Sequence, residues 1–512
     1  MKDAINRGVY RHTKRKDVPQ NKRCVKCKWV FKRKNTGIYR ARLVACGYSQ
    51  IINVDFTESF SPVINDVCWK ILIIMKIILK LDIRLLDVET AFQHGELDTQ
   101  IFMEPPEGLE EFMDINRYED CVELMKCTYG LVQASRQYRK KFVSVVKEHD
   151  VKETNVDPCL MIKKNESGRP MLYMGTHVDD SLVVAKLKEI EALRDHMEKH
   201  GLKTKCEKFD EYLGCKVVFS KDGKKAWLGQ PDTIKKLERE FGEEARKLRK
   251  YSVPGTPGIG ILRPASPNDV VDPERQSKYR SGVGMLLWIN KTRPDLSNAI
   301  RELSKVMDGA TEQAMKEMMR IIKYVFDTKN VGLKIEPKIP KDTKDFKWEL
   351  EMFSDSDWAG DKDNRKSVSG YILFLLGVPI SVKSRQQKTV SLSSAEAEWI
   401  ALSEAIKEIL FVIQVLEALE LPIEKPVVVR VDNMGAIFMA KNTTATKRTK
   451  HIDVRANFVH EHVDEETGQM IIVFVRSEDN KSDPMTKNVP KNVMQDHTGE
   501  YLGNAEEIEQ VN

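Results

Sequence analysis

The sequence predicts a multidomain chain of the α+β and α/β classes, and three observations carry that prediction. Its 512 residues exceed what one core holds, at about 100–200 residues per domain. Apolar runs of strand length alternate with longer helical stripes, in two regions separated by a Pro/Gly-rich stretch. Hydrophobic residues make up 41% and charged residues 31%, a composition that is neither disordered nor membrane-spanning. The greasiest stretch, 71–86, is interrupted by Lys76, Lys80, Asp82 and Arg84, so it falls short of the roughly 20 apolar residues a spanning helix needs. No apolar signal core follows Met1, and an intracellular protein of the cytoplasm, a virus-like particle or the nucleus is expected, not a secreted one. Nine cysteines in such a chain read as reduced thiols. Cys24 and Cys27 have no second pair at zinc-finger spacing, so no structural zinc is expected there.

Charge is unevenly placed. Residues 1–50 hold fifteen Lys and Arg against Asp3 and Asp17, a local charge of +13 that leaves the other 462 residues at −7. That asymmetry is the footprint of a polyanionic partner. Within it, Trp29-Val30-Phe31 and Ile38-Tyr39 flank Asn35-Thr36-Gly37, which predicts a hairpin with a basic exposed face. Five prolines within 251–275 exclude a continuous helix or central strand, and 337–342 reads as a second, charged linker. Between them, 279–327 is mostly helical in pattern. The resulting blocks are 1–250, 251–340 and 341–490, with a polar tail at 491–512.

Acidic residues stand at element ends. Residues 81–88 read as a strand carrying Asp87 near its end, and Asp179-Asp180 lie between apolar runs short enough to form a hairpin. Adjacent aspartates at a turn are ordinarily solvated turn formers. Brought beside Asp87 in one sheet, however, they repel unless a cation neutralises them. Hard carboxylate oxygens suit Mg²⁺, and a pair of such ions suits in-line phosphoryl displacement.

Several motifs then occur in a recognisable order: Tyr39-Arg40-Ala41-Arg42-Leu43-Val44-Ala45, Phe60-Ser61-Pro62-Val63, Leu86-Asp87-Val88-Glu89-Thr90-Ala91-Phe92, Ile101-Phe102-Met103-Glu104-Pro105-Pro106-Glu107-Gly108, Tyr129-Gly130-Leu131-Val132-Gln133-Ala134 and Val178-Asp179-Asp180. Together they resemble the reverse transcriptase of copia-type LTR retrotransposons, over about residues 8–490. The resemblance implies a right-hand polymerase of fingers, palm and thumb, with Asp87, Asp179 and Asp180 binding two metals. It also places Phe92 at the gate against the ribose 2′-hydroxyl and Gln133 against incoming nucleotide and template. Arg40 or Arg42 takes the triphosphate or template-backbone role, and Leu213-Gly214 resembles the primer-holding turn. His177 departs from the family's usual Tyr, Cys46 from its Lys, and Val132, Ser135 and Tyr138 from its pattern around Gln133.

The third block repeats the acidic logic. Residues 348–355 alternate as a strand ending at Asp355, 371–376 and 380–382 read as two more, and Ser393 or Ser394 caps a helix carrying Glu396 and Glu398. A buried-type strand ends in Asp432, another runs over 470–475, and Asp483 opens a terminal helix. Ser354-Asp355-Ser356-Asp357-Trp358-Ala359-Gly360, Ser393-Ser394-Ala395-Glu396-Ala397-Glu398, Asp432-Asn433 and Lys450-His451-Ile452-Asp453-Val454-Arg455 resemble the ribonuclease H domain that trails these reverse transcriptases. The implied cluster is Asp355, Glu398, Asp432 and Asp483, with Asp357 and Glu396 as the alternatives two residues away. The middle block, from Tyr279-Arg280-Ser281 to Thr292-Arg293-Pro294-Asp295, resembles the connecting segment.

What the resemblance implies is an RNA-directed DNA polymerase joined to a ribonuclease H-like α/β domain through a helical connection. Its expected partners are RNA template, DNA primer, RNA–DNA hybrid and deoxynucleoside triphosphates, with no membrane. Two Mg²⁺ per site, or Mn²⁺ in their place, are the expected cofactors. The alternative is an inactive relic that only binds nucleic acid.

Overall fold

A computed structural model of the chain describes residues 2–33, 37–338, 346–441, 450–463 and 468–509. The chain divides into two compact units, Met1–Leu72 with Leu81–Lys208 and Ile73–Lys80 with Phe209–Asn512. The α+β and α/β multidomain class expected from the sequence is what it has.

In the first unit the strands Thr204–Lys208, Asp82–Val88, Asp180–Ala185, Pro170–His177, Leu160–Lys164 and Lys152–Glu153 form one six-stranded sheet in that order. All neighbours are antiparallel. Alternation along the strands decides the faces. Leu86, Val88, Val183, Ala185 and Met174 point to one side, where helices Ala134–Lys147 and Leu187–Lys199 cover them with Phe142, Val146, Ile190 and Leu193. Asp87 lies on the other side. Asp87 is the penultimate residue of its strand, which places its carboxylate at the rim of the sheet.

The expected basic hairpin is present as Cys27–Arg33 paired antiparallel with Tyr39–Ala45; Asn35 and Thr36 of its turn, like 339–342 of the second linker, lie outside the described residues. A separate four-stranded sheet joins Tyr10–Lys14, Asp120–Leu124, Ile101–Met103 and Cys24–Val25. It consumes part of the amino-terminal positive charge. Arg11 pairs with Glu123, Lys14 Nζ with Asp120 at 2.8 Å, and Arg15 with Glu104. Lys28, Lys32, Arg33 and Arg40 on the hairpin remain exposed. All nine cysteines are free.

The second unit opens with a five-stranded sheet of Glu211–Tyr212, Cys215–Phe219, Ala226–Gly229, Val331–Ile335 and Leu502–Asn504. Helices Pro231–Arg246, Pro273–Ile289, Ser297–Ser304 and Glu312–Asp327 pack around a core of Phe241, Tyr279, Leu286, Leu303, Met318 and Ile322. Residues 251–272 lack regular structure beyond one short 3₁₀ turn and an isolated bridge at Val270, as their four prolines require, and the fifth, Pro273, opens the next helix. They are nonetheless tied down: Thr256 Oγ1 donates to Glu317 at 2.7 Å, Ile261 N to Glu302 at 2.8 Å, and Arg263 pairs with Asp361 and Asp363. The Thr292-Arg293-Pro294-Asp295 motif is a buried bidentate ion pair, Arg293 Nε and Nη2 donating to Asp295 at 2.9 and 2.8 Å, with Tyr324 Oη also donating to it at 3.1 Å. Removing either partner would strand a buried charge.

Carboxyl-terminal to this, strands Val378–Gln386, Val368–Leu375, Leu350–Asp357, Val427–Val431 and Met470–Phe474 form a five-stranded sheet in that order. The first three are antiparallel and the last two run parallel to the central strand. It is an α/β sheet, the class expected for the third block. Helix Ser394–Ala418 packs on the Leu350–Asp357 and Val368–Leu375 strands through Ala401, Leu402, Ala405 and Ile409. The expected terminal helix is shorter than its sequence suggested, Asp483–Thr486, because Pro490 and the extended Lys487 interrupt it before Lys491–Thr498.

Gly130 shows how tightly the hairpin is held in the first unit. Its φ is +85° or more in the left-handed region (+88°), and a Cβ there would lie 2.1 Å from the Ala45 carbonyl oxygen. Gly108 has a similar φ of +85° but open space around it. Gly130→Ala is expected to cost roughly 2–4 kcal/mol, the sum of a left-handed backbone and an overpacked contact. Gly108→Ala should cost only the backbone part, about 1–2 kcal/mol. Urea unfolding of the two variants of the full chain measures the difference, and equal losses would contradict it.

Candidate active sites

The first acidic group is built by register. Asp180 stands directly opposite Asp87, and on the other side of the same strand Lys205 stands opposite Asp87. Directly opposed residues share a face, so two carboxylates and one ammonium meet at the sheet rim. His177 pairs with Asp180 across a two-residue turn of Val178 and Asp179. Val178 has φ +56°, a region that costs a β-branched residue about 1–2 kcal/mol. That strain is the local condition for carrying Asp179 at the bend, next to the paired carboxylates. Burial raises the Asp87 carboxyl above its ordinary range, and Asp179 and Glu207 add to this, while Lys205 and Arg40 oppose it. Asp180 is pushed up to about 6 by burial first, then by Asp179 and Asp87.

Around these acids, the edge of Phe92 meets the Tyr129 ring at 4.8 Å between centroids, and the Arg42 guanidinium lies 4.9 Å from the same ring's centre. Arg42 Nε is buried without a hydrogen-bond partner. Arg40, on the same strand, is exposed and close enough to Asp87 to act on its charge. Gln133 is 0% exposed. Its Nε2 donates to the Asp55 carbonyl at 2.9 Å and its Oε1 accepts from Gln50 at 3.0 Å, so its amide is engaged inside the fold. Leu213 and Gly214, both at positive φ, form the turn between Glu211–Tyr212 and Cys215–Phe219 in the second unit.

The second acidic group is tighter. One ligand atom from each of Asp355, Glu398 and Asp432 lies within 4.8 Å of the others. Among the described residues this holds for one other group only, Glu148 with His196 and His200, and the Asp87, Asp179 and Asp180 set is not gathered so closely. Asp355 comes from the central strand, Asp432 follows the next, and Glu398 faces them from the covering helix. Asp355 and Glu398 are only 3% and 5% exposed. Burial pushes both carboxyls up; Asp432 adds to both, Asp355 raises Glu398 further, and Lys487 opposes the rise at Asp355. Glu398 Oε1 accepts from the Ser356 backbone N at 3.0 Å and its hydroxyl at 2.8 Å. Its Oε2 is buried with no hydrogen-bond partner. A buried carboxylate oxygen left unpaired fits a hard divalent cation, as does the all-oxygen donor set.

Asp483 adds charge beside Asp355 and pairs with Lys487. Burial works to lower the Lys487 ammonium, but Asp355 and Asp483 outweigh it and hold it up. The two open alternatives fall differently. Glu396 accepts from the Leu392 backbone N at 2.8 Å, while its own N donates to the Ser393 cap at 3.2 Å. Asp357 lies beyond Asp355 on the same strand, where its charge is felt by Lys487 and Arg301. Side chains of the Lys450 to Arg455 motif lie outside the described residues.

Three contributors were not singled out from sequence. Thr486 Oγ1 donates to Asp355, and it reaches there because a Cβ on Gly370, directly opposite Asp355, would sit 2.6 Å from the Thr486 methyl. Ser356 holds Glu398, and Lys487 offsets the nest. Only Lys487 leaves a sequence signal, its spacing of four from Asp483.

Residues 10–243 match the family model described as "Reverse transcriptase (RNA-dependent DNA polymerase)". The Pol polyprotein from transposon TNT 1-94 of Nicotiana tabacum is 34% identical over 501 residues, covering 96% of this chain and 36% of that protein. The chain belongs to the copia-type retrotransposon Pol family. A second relative, the Pol polyprotein from transposon RE1 of Arabidopsis thaliana, is 30% identical over 493 residues, 93% of this chain and 31% of its own length. This Pol-family chain thus spans about a third of the curated relatives it matches. A solved foamy viral protease-reverse transcriptase in complex with ds DNA aligns with 93% of this chain and 68% of that one, at a TM-score of 0.48 and 12% identity.

Without metal, Asp355→Asn removes one buried like charge and is expected to stabilise the protein by roughly 1–3 kcal/mol. The sign with pH follows from the raised carboxyls. Their contribution to stability is fully present below the ordinary carboxylate range and is lost as pH rises through the raised values. The variant's advantage over wild type should therefore grow as pH rises from the ordinary carboxylate range toward neutrality and above. Chelator-treated samples unfolded across that range measure it, and an advantage that shrinks with pH would contradict the cluster.

Proposed function

We propose that the chain is an RNA-directed DNA polymerase that also cuts the RNA strand of RNA–DNA hybrids, both by two-metal phosphoryl transfer. The single observation that carries this reading is the pair of acidic groups, one set by sheet register and the other gathered from two strand ends and a covering helix, in a chain whose residues 10–243 match the reverse transcriptase family. The reading assigns 1–250 to the polymerase, 251–340 to the connection and 341–490 to the ribonuclease.

Divalent cations, Mg²⁺ or Mn²⁺, supply charge neutralisation of the reacting phosphate and lower the pKa of an attacking hydroxyl or water. In the polymerase, Asp87, Asp179 and Asp180 hold them. Phe92, fixed edge-on against Tyr129, presents a rigid ring to the sugar and selects against a 2′-hydroxyl. Arg42 is oriented by the other ring contact and offers a desolvated donor to triphosphate, while the exposed Arg40 serves the template backbone. Gln133 acts from inside, fixing the 50–55 segment against the 129–134 loop. The role of Gly214 is to shape the primer-side turn.

The ribonuclease uses Asp355, Glu398, Asp432 and Asp483 in the same way, with Ser356 and Thr486 orienting two of the carboxylates. RNA template, DNA primer and hybrid are met by Lys28, Lys32, Arg33 and Arg40, a sequence-independent phosphate surface. Beside them Phe31 and Tyr39 are 76% and 79% exposed, which suits stacking on unpaired bases. Among the described residues no helix is long and apolar enough to cross a membrane. An intracellular setting goes with this reading.

Two assays on the full chain test it. Asp179→Asn is expected to lower Mg²⁺-dependent primer extension on RNA about 100- to 1,000-fold while leaving hybrid cleavage intact. Asp355→Asn should do the reverse. A wild-type chain that binds hybrid yet neither extends nor cleaves would be the inactive relic instead.

A further inference from the structure

Away from both acidic groups, the first unit brings two histidines and a glutamate together. His196 lies in the last turn of helix Leu187–Lys199, His200 is that helix's C-cap, and Glu148 is the C-cap of helix Ala134–Lys147. One donor atom from each of the three lies within 4.8 Å of the others. His200 Nε2 is 3.0 Å from Glu148 Oε2, and the two imidazole rings are 4.1 Å apart.

The hydrogen bonds fix which nitrogens are available. His196 Nε2 is 2.9 Å from the Val145 carbonyl, and His200 Nδ1 is 2.7 Å from the His196 carbonyl. A carbonyl can only accept, so both of those nitrogens carry protons. His196 Nδ1 and His200 Nε2 are thereby left as the lone-pair atoms, and His200 Nε2 is the one that meets Glu148. Anchoring the far nitrogen on a backbone carbonyl is how metal-ligating histidines are oriented. Two helix C-termini also converge here, and their partial negative charge favours a cation. A lone pair on His200 Nε2 facing a carboxylate needs a positive centre between them, either a proton or a metal ion.

We propose that Glu148, His196 and His200 form a binding site for a zinc-class transition metal ion that clips the carboxyl ends of these two helices together. Two imidazoles and one carboxylate are a zinc donor set with a fourth position left for water. Tetrahedral zinc places its donors about 3.3 Å from one another, so side-chain shifts of roughly an ångström complete the geometry. Such a site is chemically distinct from the two acidic groups, whose all-oxygen donors favour Mg²⁺. Its role is mechanical: the helices it joins cover the sheet that carries Asp87 and Asp180.

Cobalt is the probe. Chelator-treated full chain is titrated with Co²⁺ and followed by the visible d–d absorption that nitrogen ligation produces, then back-titrated with Zn²⁺. One intense-band site displaced by Zn²⁺ is expected in wild type and in a chain carrying Asp179→Asn and Asp355→Asn. His196→Ala and His200→Ala should each weaken it at least about 100-fold. The surface variant Glu148→Gln, which leaves the packing untouched, should weaken it at least about tenfold. No band in wild type, a band undiminished by the histidine and Glu148 variants, or a band lost with the aspartates alone would overturn the proposal. In the first case the His200–Glu148 contact is a simple imidazolium ion pair.

Discussion

Like charges held together by sheet register are the constraint on which the rest of this molecule depends. Asp87 and Asp180 face each other across neighbouring strands. Two unit charges about 5 Å apart repel by roughly 3 kcal/mol at an effective dielectric of 20. Asp355, Glu398 and Asp432 repeat the situation in a drier setting. No fold gathers acids this way for stability's sake, since any of them would be more comfortable in water. Each group persists because its strands are fixed by apolar packing on the far face, where Leu86, Val88 and Val183 in one sheet are fully desolvated. The hydrophobic cores supply the free energy that the acidic rims give up.

Much of the surrounding detail reads as compensation for that repulsion. Lys205 stands across from Asp87 on its other side, and Lys487 is drawn toward Asp355 and Asp483. Neither ammonium fully neutralises its group, which leaves the acids poised for a divalent ion. The same logic explains the local irregularities. Val178 accepts a left-handed backbone so that Asp179 can occupy the bend, and Gly370 gives up its side chain so that Thr486 can reach Asp355. Strain and small residues at these points are the local cost of site geometry.

The sequence made the strands legible wherever an apolar run of strand length ended in an acid. The Asp87 strand, the hairpin around Asp179-Asp180 and the Asp355 and Asp432 strands all stand where their patterns placed them. Helices 279–327 were legible from their periodicity, and their breaks at Asn290 and Lys305 were not. The choice between Glu396 and Glu398 was invisible because both suit the first turns of a helix. Two residues are about 200° apart around a helix, so only the docked structure shows one at the cap and the other against the sheet. Gln133 was placed against incoming nucleotide and template by the resemblance alone; its burial depends on Gln50 and Asp55, about 80 residues away in the chain. The Pro-rich stretch looked like a loose linker because proline forbids regular structure. Its anchoring by Glu302, Glu317 and Asp361 is a tertiary effect with no local signature.

The most direct test of the central claim is an anomalous difference map from crystals of the full chain soaked in Mn²⁺. The account predicts peaks bridging Asp355, Glu398 and Asp432, and further density at the rim formed by Asp87, Asp179 and Asp180. Manganese bound elsewhere in the crystal while both acidic rims stay bare would contradict it.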